Sequence, residues 1–328
     1  MNKSPKKILV LTSGGDAPGM NAAVRAVVRA GVYYGMEVYG SKLGLRGLIE
    51  KKIIKLETYS VSNIIQQGGT ILKTCRSEEF YQREGRDKAR AYLNELGIDA
   101  LVVIGGDGSF KGTALLRDEG GPNVIGIPGT IDNDIIGTEY TIGFDTAVNT
   151  ALEAIDRIRD TASSLNRNFM VEVMGKSSGF IAAEVGISGG AEIILIPEFP
   201  MTPEEIIRKL KAQREHHKLT SMIVAAEANK PGHTMELAKK ISELSDLEFK
   251  VCILGHIQRG GSPTAYDRKI ASLMGVKAVE ALRDGLTNQM LAVQKGEIVL
   301  VDFPLTGNTT RYFNHQEFIR QNDEILCA

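Results

Sequence analysis

Two carboxylates stand two residues apart in Pro128-Gly129-Thr130-Ile131-Asp132-Asn133-Asp134, directly after the apolar run Val124-Ile125-Gly126-Ile127. The run reads as a buried strand, and the Pro, Gly and Asn beyond it keep the backbone out of regular structure. Acids at the carboxyl end of a strand can hold a metal ion or take a proton. One of this pair could bind metal while the other accepts a hydroxyl proton. That division suits phosphoryl transfer, whose remaining needs are positioning and charge neutralisation. An acidic structural turn is the plainer account of the same residues.

The design recurs. Leu101-Val102-Val103-Ile104 runs into Gly105-Gly106-Asp107-Gly108-Ser109. Glycines there let a polyphosphate approach the backbone, and Asp107 is placed to hold Mg²⁺ directly or through water. Ile8-Leu9-Val10-Leu11 leads into Gly14-Gly15-Asp16-Ala17-Pro18-Gly19, which opens a helix. Main-chain N–H groups of such a loop favour phosphate oxygens, although a glycine-rich turn with an N-cap has the same composition. In His256-Ile257-Gln258-Arg259-Gly260-Gly261 the Arg259 fork could grip a dianionic phosphate, or simply be a surface arginine. Gly175-Lys176-Ser177 is not a phosphate-binding Walker loop, because Met170 stands where that pattern demands glycine. Lys176 either aims at a phosphate or is solvated. Arg25 and Arg29 share a helix face at i, i+4, the usual mark of a solvated stripe. Of the neighbours Cys75 and Arg76, the arginine is the candidate phosphate contact and the thiol is passive. The five histidines show no metal-ligand spacing, so zinc is not expected.

These loops need elements to hold them. Apolar runs of strand length alternate with helical patterns, which predicts an α/β fold with mainly parallel sheets. Helices are expected over 21–34, over 84–96 with Gly97 as the stop, and over 145–162. Another starts at Thr202-Pro203-Glu204-Glu205, where Thr can cap, Pro can occupy the first position and Glu can close a capping box. Further strands are expected over 169–173, 192–196, 221–225 and 251–254. Ligands of doubly wound sheets bind beyond the carboxyl ends of strands, where all these glycine loops would sit.

The 328 residues exceed one ordinary core, so two domains are expected, with a soft boundary near 135–145. Hydrophobic content of 43% and charged content of 24% are ordinary for a globular protein. A net charge of −1 gives no sign of a nucleic-acid or membrane-surface partner. Cys75, Cys252 and Cys327 lie far apart, which excludes a disulfide framework and fits a reducing cytosol. The basic start lacks a signal-peptide core, and no apolar stretch nears the roughly 18 residues a membrane span needs, so a cytoplasmic location is expected.

Five segments, in order, resemble the bacterial type of ATP-dependent 6-phosphofructokinase: Leu11 to Asn21, Ile104-Gly-Gly-Asp-Gly-Ser109, Pro128 to Asp134, Val171-Glu-Val-Met-Gly175, and Gly255-His-Ile-Gln-Arg-Gly-Gly-Ser-Pro263. The resemblance spans nearly the whole chain. It implies the phosphofructokinase fold, two αβα sandwich domains that are each discontinuous: 1–143 plus 258–308 for ATP, and 144–257 plus 309–328 for fructose 6-phosphate. It implies a glycolytic kinase that moves the γ-phosphate of MgATP to the sugar 1-hydroxyl. Asp132 would be the base, and Arg76 and Thr130 would stabilise the group in flight. Gly15, Arg76, Ser77, Gly106, Asp107, Gly108 and Ser109 would surround the nucleotide, with Asp107 serving Mg²⁺ and Asp134 close by. Thr130, Asp132, Met174, Gly175, Lys176, Glu227, His256 and Arg259 would hold the sugar phosphate. Arg167 and Lys250 match positions that reach a neighbouring subunit's substrate, which implies a homotetramer. Arg25, Arg29, Arg159, Glu192 and Lys218 match an effector site for ADP or phosphoenolpyruvate.

Glycine at 108 and 129 favours ATP, because pyrophosphate-using relatives typically carry Asp and Lys there. The chain departs from the family pattern in several places. Lys176 and Lys250 replace arginine and lose its fork. Leu45 and Ser77 replace aromatics of the adenine pocket, and Thr58 and His216 replace basic effector residues. A kinase of the same superfamily acting on NAD or a lipid would share Gly-Gly-Asp-Gly, but not Thr130 to Asp134 or His256 to Gly261. A silent sensing subunit should lack Asp132 or Asp107, and both are present.

Overall fold

The structure is a computed structural model that describes residues 4–215, 220–303, 311, 313–322 and 325. The chain divides into two compact units: Met1–Ile131, Ile135–Thr146 and Arg259–Thr310 form the first, and Asp132–Asp134, Ala147–Gln258 and Arg311–Ala328 the second.

The first unit is built on β1 (Lys7–Thr12), β2 (Glu37–Ser41), β3 (Ile53–Leu56), β4 (Ala100–Gly105), β5 (Asn123–Pro128), β10 (Gln289–Gln294) and β11 (Glu297–Asp302). They form one sheet in the order β11-β10-β5-β4-β1-β2-β3, parallel from β10 to β2 and antiparallel only at its two edge pairs. Its central strands are apolar at almost every position because both faces are covered. Leu9 and Leu11 of β1 and Leu101 and Val103 of β4 pack in one core with α2 (Gly44–Ile49), α4 (Arg83–Leu96) and α5 (Asp107–Asp118). α1 (Met20–Tyr33) packs against α10 (Ala265–Arg283), where Gly275 lies so close to Ala26 that a β-carbon would collide. The short α3 (Glu78–Tyr81) precedes α4. It is held by Arg86, whose guanidinium donates to the Phe80 and Tyr81 carbonyls at 3.2 and 2.8 Å and makes a fork with Glu119.

The second unit has an all-parallel four-stranded sheet, β7-β8-β6-β9, from β6 (Asn168–Val173), β7 (Ile193–Leu195), β8 (Met222–Ala226) and β9 (Phe249–Ile253). With it go most of α6 (Phe144–Leu165), and α7 (Phe180–Ser188), α8 (Pro203–Glu215), α9 (His233–Leu244) and α11 (Gln316–Gln321). Met170, Ile193, Ile206, Leu210, Ile223 and Ile241 centre its core. The capping box at Thr202 forms as expected: Glu205 accepts the Thr202 amide at 2.8 Å, and Thr202 accepts the Glu205 amide at 3.3 Å.

Expected elements are present with ends shifted by up to three residues, as where α6 runs on to Leu165. The sequence reading does not anticipate β2, β3, β10 or β11, nor the helices α2, α3, α5, α7, α9 and α10. The β10–β11 hairpin turns on Lys295 and Gly296, both with positive φ, a two-residue loop whose twist suits the strands it joins. Among the described residues no helix is long and apolar enough to cross a membrane.

Candidate active site

The candidate residues fall into two groups, one on each unit. In the first, the parallel neighbours β5, β4 and β1 end at the same edge of the sheet. Their loops are stitched together there. The Ser13 amide donates to the Ile104 carbonyl at 2.9 Å, the Ser109 hydroxyl donates to Ser13 Oγ at 2.8 Å, and the Gly129 amide donates to the Gly105 carbonyl at 3.0 Å. Gly105 is required by closeness, since a β-carbon there would lie 2.6 Å from the Ser13 carbonyl. Gly14 and Gly19 take positive φ, and the Thr74 hydroxyl holds the Gly14 carbonyl at 2.7 Å.

Asp107 opens α5, with Gly106 before it as an extended N-cap that brings no side chain to the helix start. The Asp107 carboxylate is about a third exposed, and Lys111 Nζ lies 3.8 Å from it. A β-carbon on Gly108 would meet only the Tyr81 hydroxyl. The result is a helix start with one partly exposed acid, where the helix dipole favours negative ligands. Among the described residues no group of three or more His, Cys, Asp or Glu could hold a metal ion. A lone carboxylate fits Mg²⁺, which keeps several waters and takes phosphate oxygens, better than a cation caged by protein.

Arg76 is exposed between Cys75 and Ser77. Ser77 is buried and caps α3 by accepting the Phe80 amide at 3.3 Å. Leu45 is part of the core with Leu48 and Phe80. Thr130 is fixed through its backbone: its amide donates to the Ile142 carbonyl at 3.1 Å, and the Thr141 hydroxyl donates to its carbonyl at 2.6 Å. Arg259 joins this first group, its guanidinium lying against Gly15.

The second group surrounds the carboxyl ends of β6 and β8. Asp132 is 7% exposed, followed by buried Asn133 in the left-handed region that asparagine tolerates. The buried Ser178 hydroxyl lies 3.2 Å from the Asp132 carbonyl and 3.0 Å from the Gly175 carbonyl. The Arg311 amide donates to the Asp134 carbonyl at 2.6 Å. After β6, Met174 is buried, Gly175 has φ +145° and Lys176 is exposed with φ 56°. The Glu227 carboxylate, just beyond β8, accepts the Lys176 amide at 2.9 Å, and the Lys176 carbonyl accepts the Asn229 amide at 2.9 Å. His256 is exposed in the 3-10 turn Gly255–Arg259 that follows β9.

Not every candidate gathers here. Arg167 is exposed just before β6, and Lys250 is exposed on β9 beside Phe169. Both mark the amino-terminal end of the four-stranded sheet, opposite the Met174–Lys176 loop. The six residues of β6 separate Arg167 from Met174, about 20 Å at ~3.3 Å per residue.

Of the effector candidates, Arg25 is half-buried and Arg29 exposed on α1, and burial together with the Arg29 charge pulls the Arg25 pKa down. Arg159 donates to the Gly189 carbonyl and, at 2.9 Å, to the Gly190 carbonyl. Glu192 is buried and its carboxylate accepts the Met222 amide. Thr58 starts an exposed 3-10 turn, while Lys218 and His216 lie outside the described residues.

Three polar residues of these loops escape sequence reasoning: Ser13, Ser178 and Gln258. Ser13 and Gln258 lie inside the quoted motifs and Ser178 follows one directly, but each has a partner distant in the chain, and glycines, acids and arginines draw attention first.

The profile of the family Phosphofructokinase matches residues 7–282. The chain is 57% identical over 323 residues to the ATP-dependent 6-phosphofructokinase of Coxiella burnetii, covering 98% of each chain. It is 54% identical over 294 residues to the ATP-dependent 6-phosphofructokinase of Bacillus subtilis, covering 90% of this chain and 91% of that one. Among solved structures, the T-state phosphofructokinase of Pichia pastoris is 35% identical with a TM-score of 0.85, over 92% of this chain and 37% of the longer yeast chain. A pyrophosphate-dependent phosphofructokinase of Marinobacter aquaeolei shares the fold, with a TM-score of 0.83 at 22% identity over 98% of this chain and 92% of that one. The chain belongs to the phosphofructokinase family.

Proposed function

We propose that this protein is an ATP-dependent 6-phosphofructokinase, a glycolytic phosphotransferase that converts fructose 6-phosphate and ATP to fructose 1,6-bisphosphate and ADP. Asp132 takes the proton of the sugar 1-hydroxyl, and the oxygen attacks the γ-phosphorus. The bond from that phosphorus to the β,γ-bridging oxygen breaks, and ADP leaves. Gly15, Arg76, Ser77, Gly106, Gly108 and Ser109 surround the nucleotide, with main-chain N–H groups and the α5 start meeting its phosphates. Arg76 and Thr130 steady the moving phosphoryl group, as its equatorial charge requires. Asp107 would hold Mg²⁺, which neutralises phosphate charge when bound.

The first unit is thus the nucleotide unit and the second the sugar unit, where Met174, Gly175, Lys176, Glu227 and His256 orient the sugar, with Arg259 on its phosphate. Arg167 and Lys250 serve a substrate bound by another copy, and their separation from the Met174–Lys176 loop supports this. A homotetramer follows. Arg25, Arg29, Arg159, Glu192 and Lys218 form the effector site for ADP or phosphoenolpyruvate, and the enzyme works in the cytoplasm.

One observation carries the reading: a chain 57% identical over 98% of its length to an ATP-dependent 6-phosphofructokinase has both Asp107 at a helix start and a buried Asp132 in the loop beyond β5. The deciding experiment is a coupled assay with fructose 6-phosphate and Mg²⁺, offering ATP or pyrophosphate. Turnover with ATP is expected. Turnover with pyrophosphate alone would overturn the choice of donor, and turnover with neither would overturn the reaction.

A further inference from the structure

Gln258 lies between His256 and Arg259 in the chain, and no role has yet fallen to it. Its side chain is fully buried. Its Oε1 accepts the Met174 amide at 2.8 Å, and its Nε2 faces the Ala147 carbonyl in the first turn of α6 at 3.4 Å. The amide has only one orientation that satisfies both neighbours, because a main-chain N–H can only donate and a carbonyl can only accept. Glutamine is therefore read at both ends. An ionised Glu would set an oxygen against the Ala147 carbonyl, and an apolar residue would leave a buried N–H and a buried carbonyl without this partner.

Met174 is the first residue of a loop that local structure does little to fix. Gly175 and Lys176 both leave the ordinary backbone regions, and the loop is otherwise tied by the Ser178 hydroxyl and the Glu227 carboxylate. Such backbone outliers persist where surrounding contacts over-determine them. We propose that Gln258 is a positioning residue for the sugar-phosphate loop, tethering Met174 to α6 so that Met174, Gly175 and Lys176 stand ready for substrate. This rests on the reading of that loop as the fructose 6-phosphate site. Gln258 itself touches no substrate.

The test compares wild type with Gln258→Met, which keeps side-chain length and volume but loses both hydrogen bonds, and Gln258→Glu, which keeps the acceptor for Met174. KM is measured for fructose 6-phosphate and for MgATP, and amide exchange is followed by mass spectrometry in the peptide spanning 174–178. In Gln258→Met the KM for fructose 6-phosphate is expected to rise about tenfold or more, the effect of losing a buried polar pair. KM for MgATP stays within about twofold, and the 174–178 peptide exchanges faster without any ligand. Gln258→Glu falls between the two. A role in packing alone would leave Gln258→Met like wild type, and that result overturns the proposal. So does an equal rise in both KM values, or loss of the fold in both variants, since Gln258 would then hold the unit together rather than one loop. If Gln258→Met alone fails to fold, Gln258→Glu decides: a selective rise for the sugar supports the tether, and unchanged KM values overturn it. Failure of wild type to use fructose 6-phosphate would instead refute the functional reading.

Discussion

The Arg259 guanidinium fills the space that a β-carbon on Gly15 would occupy, and its Nη1 donates to the Asp16 carbonyl at 3.4 Å. Gly15 has no positive φ, so its backbone would accept alanine without strain. What alanine displaces is the far end of a flexible side chain. Gly15→Ala is therefore expected to leave the melting temperature within about 2 °C of wild type, near the scale of a sub-kcal change in a domain of this size. It should lower kcat/KM for fructose 6-phosphate by about tenfold or more, because the guanidinium loses its seat. A mutant that melts far lower with an unchanged KM would show that the contact serves the fold.

Asp132 is nearly buried, and its main chain is held by Ser178, so its carboxylate has a defined place to accept a proton. General-base removal commonly costs a factor of about 10² to 10⁴. Asp132→Ser should reduce kcat by that order while nucleotide affinity, read by calorimetry, changes less than about twofold. A small loss in kcat would remove Asp132 from the proton-accepting role.

How much of this could be read from the chain depends on what kind of contact carried it. The strands β1, β4, β5, β6 and β8 are legible because both faces of each are buried, which leaves a mostly apolar run, and all but β8 lead into glycine. β2 and β3 are not, since Glu37, Ile54 and Lys55 are exposed and break that signature. α10 buries a regular face, Asp267, Ile270, Ala271, Met274, Gly275, Ala278, Val279 and Leu282, but an aspartate, a glycine and alanines occupy part of it, so its apolar stripe is weak in the sequence. The glycine-acid loops stand out because clustered glycines and an acid directly follow an apolar run, and their purpose is local. Ser178 and Gln258 do not, because their meaning lies in carbonyls and amides 46 and 84 residues away. Discontinuous units, likewise, are a property of contacts and leave no mark in composition.

The two glycines taken to select the phosphate donor differ in the room around them. A side chain at 108 would meet only the Tyr81 hydroxyl, at 3.1 Å. One at 129 would press on Ile104 and Met20 at 3.0 and 3.2 Å, in a buried segment bonded to Gly105 and bridged to Ile142. Gly108→Asp should thus fold normally, an acid in the first turn even being favoured by the helix dipole. It should cut kcat/KM for ATP by about 10² through charge repulsion with phosphate, in the range for loss of transition-state stabilisation. Gly129→Lys should lose about 3 kcal/mol or more from overpacking and a buried ammonium. Denaturant titration separates the two. Equal stability losses would mean that both sites are merely structural.

Asp267, the fourth case, concerns stability and pH. It is fully buried on α10 and accepts the amides of Gly143 and Thr146 at 2.8 and 2.9 Å, and also the Thr146 hydroxyl. Burial outweighs these donors and raises its pKa from 3.8 to about 6. The folded state therefore holds this proton more tightly than the unfolded chain. Its contribution to stability is greatest below pH ~4, falls as pH rises toward ~6, and is constant above that. Two pKa units correspond to about 3 kcal/mol. Asp267→Asn cannot titrate and loses one of the two acceptor oxygens, so it should be less stable than wild type at low pH. Its stability between pH ~4 and ~6 should lack the downward slope that residue 267 imposes on wild type. Urea midpoints at several pH values measure that difference directly. Parallel curves for the two proteins would mean that the carboxylate is ionised across the whole range, with the Gly143 and Thr146 donors outweighing burial.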